Sequence, residues 1–523
     1  MFTTVVSAAV FGVQSKLVHV EADVGDGLPG FVMVGYLSSQ VKEAQERVRT
    51  ALKNSGFMLQ PRKITVNLAP ADFHKSGTAF DLPIAVAVAA AYGLFPAEVL
   101  EGTMILGELG LDGHINPVPG VLAVTADATG YGCKRCIVPC ENVAEAKEAG
   151  KIEVLGVSSL SQLIRYFRGE EVLKTGQEPE AAAMRKEQEE PDFADIAGQE
   201  AAKRAALSAA AGFHNLHMIG PPGSGKSMIA RRIPTIMPEL SHEEAIEISR
   251  VYSVLGILDQ NESLLYKRPF RSPHHSITAR ALSGGGITPR PGEISLAHRG
   301  VLFLDELPEF QRETLEVLRQ PMENRELTIT RNGYAYVFPA DFMLVAAMNP
   351  CPCGYYPDLA RCRCQSGVIR KYLNRISMPL LDRIDMTVEV SAITYAQLNP
   401  TEKGETSEQM RDKVKRVREI QKQRFEAEMS GPSLCGNDSQ MLKGALMVNG
   451  RMTPGDVARF CVLGKEEAAL MEKMFKKLKL TARGYHRILR VARTIADLEE
   501  SGEIRVPHLQ EALCYREINK AYW

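Results

Sequence analysis

The octapeptide Gly220-Pro221-Pro222-Gly223-Ser224-Gly225-Lys226-Ser227 satisfies the spacing G-x-x-x-x-G-K-[ST] at every position. Its glycines let the chain curl so closely that backbone N–H groups converge on a phosphate chain. Lys226 adds a point charge there, and the Ser227 hydroxyl is placed to hold Mg²⁺. The flanks agree with this use. His217-Met218-Ile219 reads as the end of a buried strand, and Met228-Ile229-Ala230-Arg231-Arg232 opens a helix whose N-terminus faces the phosphates. A strand, phosphate loop and helix in this order call for an α/β core around a parallel sheet and imply a bound nucleoside triphosphate.

Two further strands belong with the loop. Val301-Leu302-Phe303-Leu304-Asp305-Glu306 is an apolar run ending in two acids, the pattern of a buried parallel strand delivering carboxylates to its C-terminal edge. Asp305 is expected on the Mg²⁺, and Glu306 is expected to orient the attacking water. Phe342-Met343-Leu344-Val345-Ala346-Ala347-Met348 ends at Asn349, placed to touch the γ-phosphate or that water.

Together these motifs resemble the AAA+ ATPases. Arg268-Pro269-Phe270-Arg271-Ser272-Pro273-His274-His275, Leu380-Leu381-Asp382-Arg383-Ile384-Asp385 and Arg490-Val491-Ala492-Arg493-Thr494-Ile495-Ala496-Asp497-Leu498 are similar to the magnesium chelatase-like group, and within it to bacterial competence proteins. The resemblance spans nearly the whole chain. It implies ATP hydrolysis in a homo-oligomeric, hexameric ring that drives DNA branch migration during natural transformation. It also places Arg383 as the arginine finger acting on a neighbour's nucleotide, with Arg375 the competitor, and Arg483 as the second sensor arginine.

The 523 residues exceed what one core supports. Residues 1–168 alternate strand-like runs with apolar helical ones. Residues 169–191 are rich in Glu, Lys and Ala and read as a solvated linker. The ATPase core is expected over 192–392, opening at Asp192-Phe193-Ala194-Asp195-Ile196-Ala197-Gly198-Gln199, which resembles an adenine-side segment. A helical lid is expected over 393–523, where Thr406 and Gln409 form a capping box before Met410, Val414, Val417 and Ile420. No apolar run approaches the ~20 residues of a membrane span. Ten cysteines beside phosphate-loop chemistry point to a reducing cytoplasm. A net charge of −1 leaves any contact with nucleic acid to local basic patches.

Residues 1–168 resemble the Lon protease domain, an α+β fold of the ribosomal protein S5 domain 2 type. The likeness rests on Gly107-Glu108-Leu109-Gly110-Leu111-Asp112-Gly113 followed by Pro117-Val118-Pro119-Gly120. That family cleaves peptides with a serine–lysine pair. Here Ala79 stands at the serine position and Leu122 at the lysine position, so the fold is expected without the protease.

Leu327 to Arg331 and Tyr334 to Phe338 flank Asn332-Gly333, the strongest short hairpin signal. Related rings point such a hairpin into the pore, where Arg331 would meet a phosphate and Tyr334 or Tyr336 would stack on a base. Packing on its own domain is the alternative. Ser283-Gly284-Gly285-Gly286 is a candidate second pore loop. Cys351-Pro352-Cys353 and Cys362-Arg363-Cys364 offer four thiolates for a structural Zn²⁺. With Arg361, Arg363, Arg370 and Lys371 they make a basic knob suited to DNA phosphates. Two functional classes stand: a DNA-driven branch-migration helicase, or a chelatase-type motor that remodels a protein partner.

Overall fold

The computed structural model describes residues 1–150, 152–173, 191–259, 263–398, 404–429 and 446–522. Most of the expected linker (174–190) lies outside them.

The N-terminal domain is built on a seven-stranded mixed sheet. Its order is Gly30–Val34, Lys63–Ala69, Gln14–Gly25, Phe2–Phe11, Thr103–Ile105, Arg135–Pro139 and Glu153–Val157. Helix Asp81–Ala91 is buried along its whole length, as its Ala/Val/Ile composition requires. Ala79 precedes that helix. Leu122 is fully buried and packs with Leu240, Ala245, Ile248 and Leu264 of the next domain. Leu122, expected from sequence at the lysine position of the proteases, is an apolar contact between domains. Ser253 and Arg250 fasten the same junction, donating to Glu145 (2.6 Å) and Asp127 (3.5 Å).

The ATPase core contains a five-stranded parallel sheet in the order Phe270–Arg271, Val301–Leu304, Met343–Met348, Leu216–Ile219, Met386–Glu389. Its central strands are apolar throughout because both faces are covered. The phosphate-loop strand lies between the Asn349 strand and the last strand. This arrangement brings the C-terminal ends of three motif strands to one edge of the sheet, where α/β folds place their ligands.

The C-terminal region is helical: Ser407–Met429, Pro454–Phe460, Lys465–Lys477, Ala482–Leu498 and Val506–Tyr522. Thr406 and Gln409 form the expected capping box, with reciprocal bonds of 3.1 and 3.2 Å. Met410, Val414 and Val417 are buried in one apolar cluster with Leu216, Val345, Ile488 and Ile495. Lid and core therefore share a continuous interior.

Candidate active site

Gly225 takes φ +93° and ends the phosphate loop, and Lys226 begins helix Lys226–Ile236. A side chain is strained at such φ, which is why glycine stands there. The Lys226 ammonium donates to the carbonyls of Gly220 and Pro221 at 2.8 Å each and to Asn349 Oδ1 at 3.3 Å. Burial pushes its pKa down, while Asp305 and Glu306 pull it back up. Ser227 Oγ donates to Asp305 Oδ2 at 2.6 Å. A hydroxyl and a carboxylate at that separation are the oxygen donors a Mg²⁺ ion takes from this motif.

Glu306 adopts φ +52° although it is not glycine, with its N–H bonded to Asp305 Oδ1 at 3.0 Å. Backbone strain of that kind is held where the surroundings aim a side chain, and it collects at functional sites. Glu306 is 55% exposed, and its carboxylate lies 3.7 Å from His275 Nδ1. His275 in turn stacks beside His274 at 4.0 Å. On the other flank, Gln199 reaches the Ser224 and Ser391 carbonyls, tying the Asp192–Gln199 segment to the phosphate loop.

The structure thus assembles Lys226, Ser227, Asp305, Glu306 and Asn349 at one sheet edge. The two other arginines meet elsewhere. Arg383 and Arg483 both pair with Glu323 Oε1, at 2.8 and 2.9 Å. Arg383 is only 8% exposed, whereas Arg375, paired with Glu309 at 2.8 Å, is 51% exposed.

The Glu326–Arg331/Tyr334–Pro339 hairpin forms in the expected register, with Arg331 opposite Tyr334 and positive φ at Asn332 and Gly333. Its tyrosines face the N-terminal domain. Tyr336 stacks on Phe11 with centroids 4.2 Å apart, and the Tyr334 hydroxyl donates to the Asp72 carbonyl. The Lys16 ammonium sits over both Phe11 (3.8 Å) and Tyr334 (4.8 Å). Arg331 stays exposed at the tip. Gly284–Gly285 is a strand of a short ribbon with Arg290–Pro291, more ordered than a free loop, and it leaves Ile287 exposed.

The Sγ atoms of Cys351, Cys353, Cys362 and Cys364 all lie within 4.8 Å of one another. Three of the separations are 3.3, 3.6 and 3.8 Å. Zn–S bonds of about 2.3 Å in a tetrahedron put sulfurs about 3.8 Å apart, so the set fits that ion. Arg361, Arg363, Arg370 and Lys371 are exposed around it.

Family profiles described as magnesium chelatase, subunit ChlI, match residues 192–398, 20–142 and, for its C-terminal part, 404–516. The chain is 43% identical over 518 residues to competence protein ComM of Haemophilus influenzae, covering 98% of this chain and 97% of that one. This chain belongs to the ComM family of magnesium chelatase-like AAA+ ATPases. YifB of Salmonella typhimurium is 40% identical over 513 residues, covering 98% and 96%. Lon protease 2 of Bacillus subtilis is 27% identical over 225 residues, covering 38% of this chain and 40% of its own. The ComM-family assignment agrees with the expected fold class, and among the described residues no helix is long and apolar enough to cross a membrane.

Some residues at this ComM-family site carry no local sequence signal of their role. His275 ends the segment Arg268 to His275, but nothing local says that it faces Glu306. Glu323 carries no motif, and its two arginine partners come from distant parts of the chain. Phe11 and Lys16 read as ordinary strand residues until the hairpin is seen to dock on them.

Proposed function

We propose that this chain is an ATP-hydrolysing DNA translocase, assembled as a hexameric ring, that promotes branch migration in natural transformation. The observation that carries this reading is a covalent tether. Asn349 is bonded to the phosphate-loop lysine, and the same segment runs straight into the exposed basic knob. A residue that responds to the γ-phosphate is thereby joined to a surface that can grip a phosphodiester backbone. The likeness to competence protein ComM of Haemophilus influenzae supports the competence setting.

In this reading Glu306 orients the attacking water, and Lys226 binds the β/γ-phosphates. Ser227 and Asp305 hold Mg²⁺, which when bound neutralises charge on the phosphate oxygens. Asn349 senses the γ-phosphate. Arg383 acts on a neighbour's nucleotide after leaving Glu323, and Arg483 is the second sensor. Cys351, Cys353, Cys362 and Cys364 hold one structural Zn²⁺, which replaces the burial that so short and polar a loop lacks. Arg331 and Arg363, both exposed, contact DNA, and Tyr334 and Tyr336, which pack on the N-terminal domain in this structure, do so only once the hairpin leaves Phe11.

The test compares the ATPase rate with no DNA and with forked, four-way and plain duplex DNA. Stimulation is expected, greatest with branched substrates. A rate indifferent to every DNA would sink the translocase and leave a motor that remodels a protein partner. Metal analysis of protein purified without chelator should find about one zinc per chain, as a closed four-ligand site requires. Iron, or no metal, would overturn the zinc assignment.

A further inference from the structure

The phosphate loop is touched from outside by the first turn of the cysteine segment. Gly354 is buried, takes φ +85°, and donates its N–H to the Cys351 carbonyl at 2.9 Å. A Cβ built on it would overlap the ring of Pro222, coming within 2.9 Å of Cγ and closer still to Cδ. Real side-chain carbons do not approach so closely, so only glycine lets this backbone lie against the third residue of the phosphate loop. Cys351 is fully buried in the same apolar cluster as Met348 and Ile219, the last residues of the two strands that feed the site.

The segment therefore holds the loop at two points. Asn349 reaches it through Lys226, which also binds the Gly220 and Pro221 carbonyls. Gly354 reaches it through Pro222. Between them stand Cys351 and Cys353, whose sulfurs are 3.3 Å apart. Whatever fixes those sulfurs fixes the turn, and the turn fixes the outer curve of the phosphate loop.

We infer that the Cys351–Gly354 turn is a positioning element of the nucleotide site, so that nucleotide affinity and the state of the four thiolates are linked. Gly354 is a positioning residue acting through Pro222. The contact itself stands without any metal, while the linkage to the thiolates rests on the zinc reading above. Linkage of binding free energies is reciprocal: if bound metal tightens nucleotide binding, bound nucleotide must tighten metal retention by the same factor.

The full-length chain allows both halves to be tested separately. Gly354→Ala keeps all four thiols. Its affinity for a fluorescent ATP analogue, measured without turnover, should fall about tenfold, a typical coupling magnitude. Pro222→Ala removes the ring that the new methyl would strike. In the Gly354→Ala/Pro222→Ala double variant most of the lost affinity should return. Loss without recovery assigns the effect to backbone strain at φ +85° and overturns the contact, as does unchanged affinity in the single variant. The second half uses the unaltered protein. The zinc affinity, read at equilibrium by competition with a chelator, should tighten about tenfold when the ATP analogue and Mg²⁺ are present. Equal zinc affinities overturn the linkage. Absence of zinc from the purified protein defeats the zinc reading alone and leaves the variant cycle to decide the contact.

Discussion

Phe11, at the end of the first strand, and Tyr336, on the hairpin of the ATPase core, stack with centroids 4.2 Å apart and planes 24° from parallel. The face that would meet a nucleotide base is covered by the N-terminal domain. An aromatic pair of this kind contributes about 0.5–1.5 kcal/mol beyond its buried area. Phe11→Ala should therefore loosen residues 326–339, seen as faster amide exchange, and raise affinity for single-stranded DNA by up to about tenfold. Tyr336→Ala should lower that affinity. If both variants bind DNA like the parent, the hairpin is a domain fastener and not a DNA contact.

Lys226→Ala should abolish nucleotide binding, because it removes the charge at the β/γ-phosphates. Glu306→Gln should retain ATP yet turn it over ~10²-fold more slowly or worse, the usual cost of removing one such group. Single-turnover hydrolysis separates the two. Normal turnover in Glu306→Gln would reassign the water-orienting role.

Arg383→Ala should assemble and bind ATP but hydrolyse it poorly, and the defect should act in trans. Mixed with Lys226→Ala protomers, it should recover activity only at interfaces where an intact Arg383 faces an intact phosphate loop. Arg375 is the control, because it is 51% exposed and its pair with Glu309 leaves it at the surface. A normal rate in Arg383→Ala together with a trans defect in Arg375→Ala would move the finger to Arg375.

Acid should weaken the join between core and lid. His214 is fully buried, its Nε2 sharing a 2.7 Å hydrogen bond with Thr494 of the lid helix, and its other nitrogen has no hydrogen-bond partner among the described residues. Burial pushes its pKa down to about 4; Asp385 opposes this, and Arg490, Arg451 and Arg418 reinforce it. The unfolded imidazole, near 6.5, takes up its proton first. Stability is thus present above about pH 6.5 and is lost as pH falls towards 4. His217 is buried nearby in sequence with a pKa pushed down to about 3, so it adds in the same direction. Melting temperatures across that range should fall, and less steeply in His214→Gln. An identical slope in the variant would clear His214 of the effect.

The parts legible in the sequence were those written by neighbours along the chain. The phosphate loop, the two motif strands, the Asn332-Gly333 turn and the Thr406/Gln409 cap each depend on backbone chemistry within a few residues, and each formed as expected. Other features depend on surfaces supplied by separate elements. Nothing near Tyr336 announces Phe11, and nothing near Arg383 announces Glu323 or the burial that follows. The Gly284–Gly285 strand is a similar case. Its glycines signalled freedom, but Gly284 takes φ +94° in a paired ribbon where the Arg290–Pro291 backbone leaves no room for a side chain.

A single oxygen atom, Oε1 of Glu323, joins a core arginine to a lid arginine. It works as one pin through two leaves, beside the Arg451–Asp341 and Arg516–Asp382 pairs across the same join. The pin is reachable by solvent, with Glu323 37% exposed, so dissolved salt weakens it. A phosphate group carries more charge than one carboxylate and offers more acceptor oxygens, so it competes for both guanidinium groups at once. When either arginine goes to such a group, the pin holds one leaf only. The shared apolar interior and the buried Arg451–Asp341 pair still hold lid to core, so a bound phosphate is felt as the freeing of one guanidinium and not as a parting of the two domains.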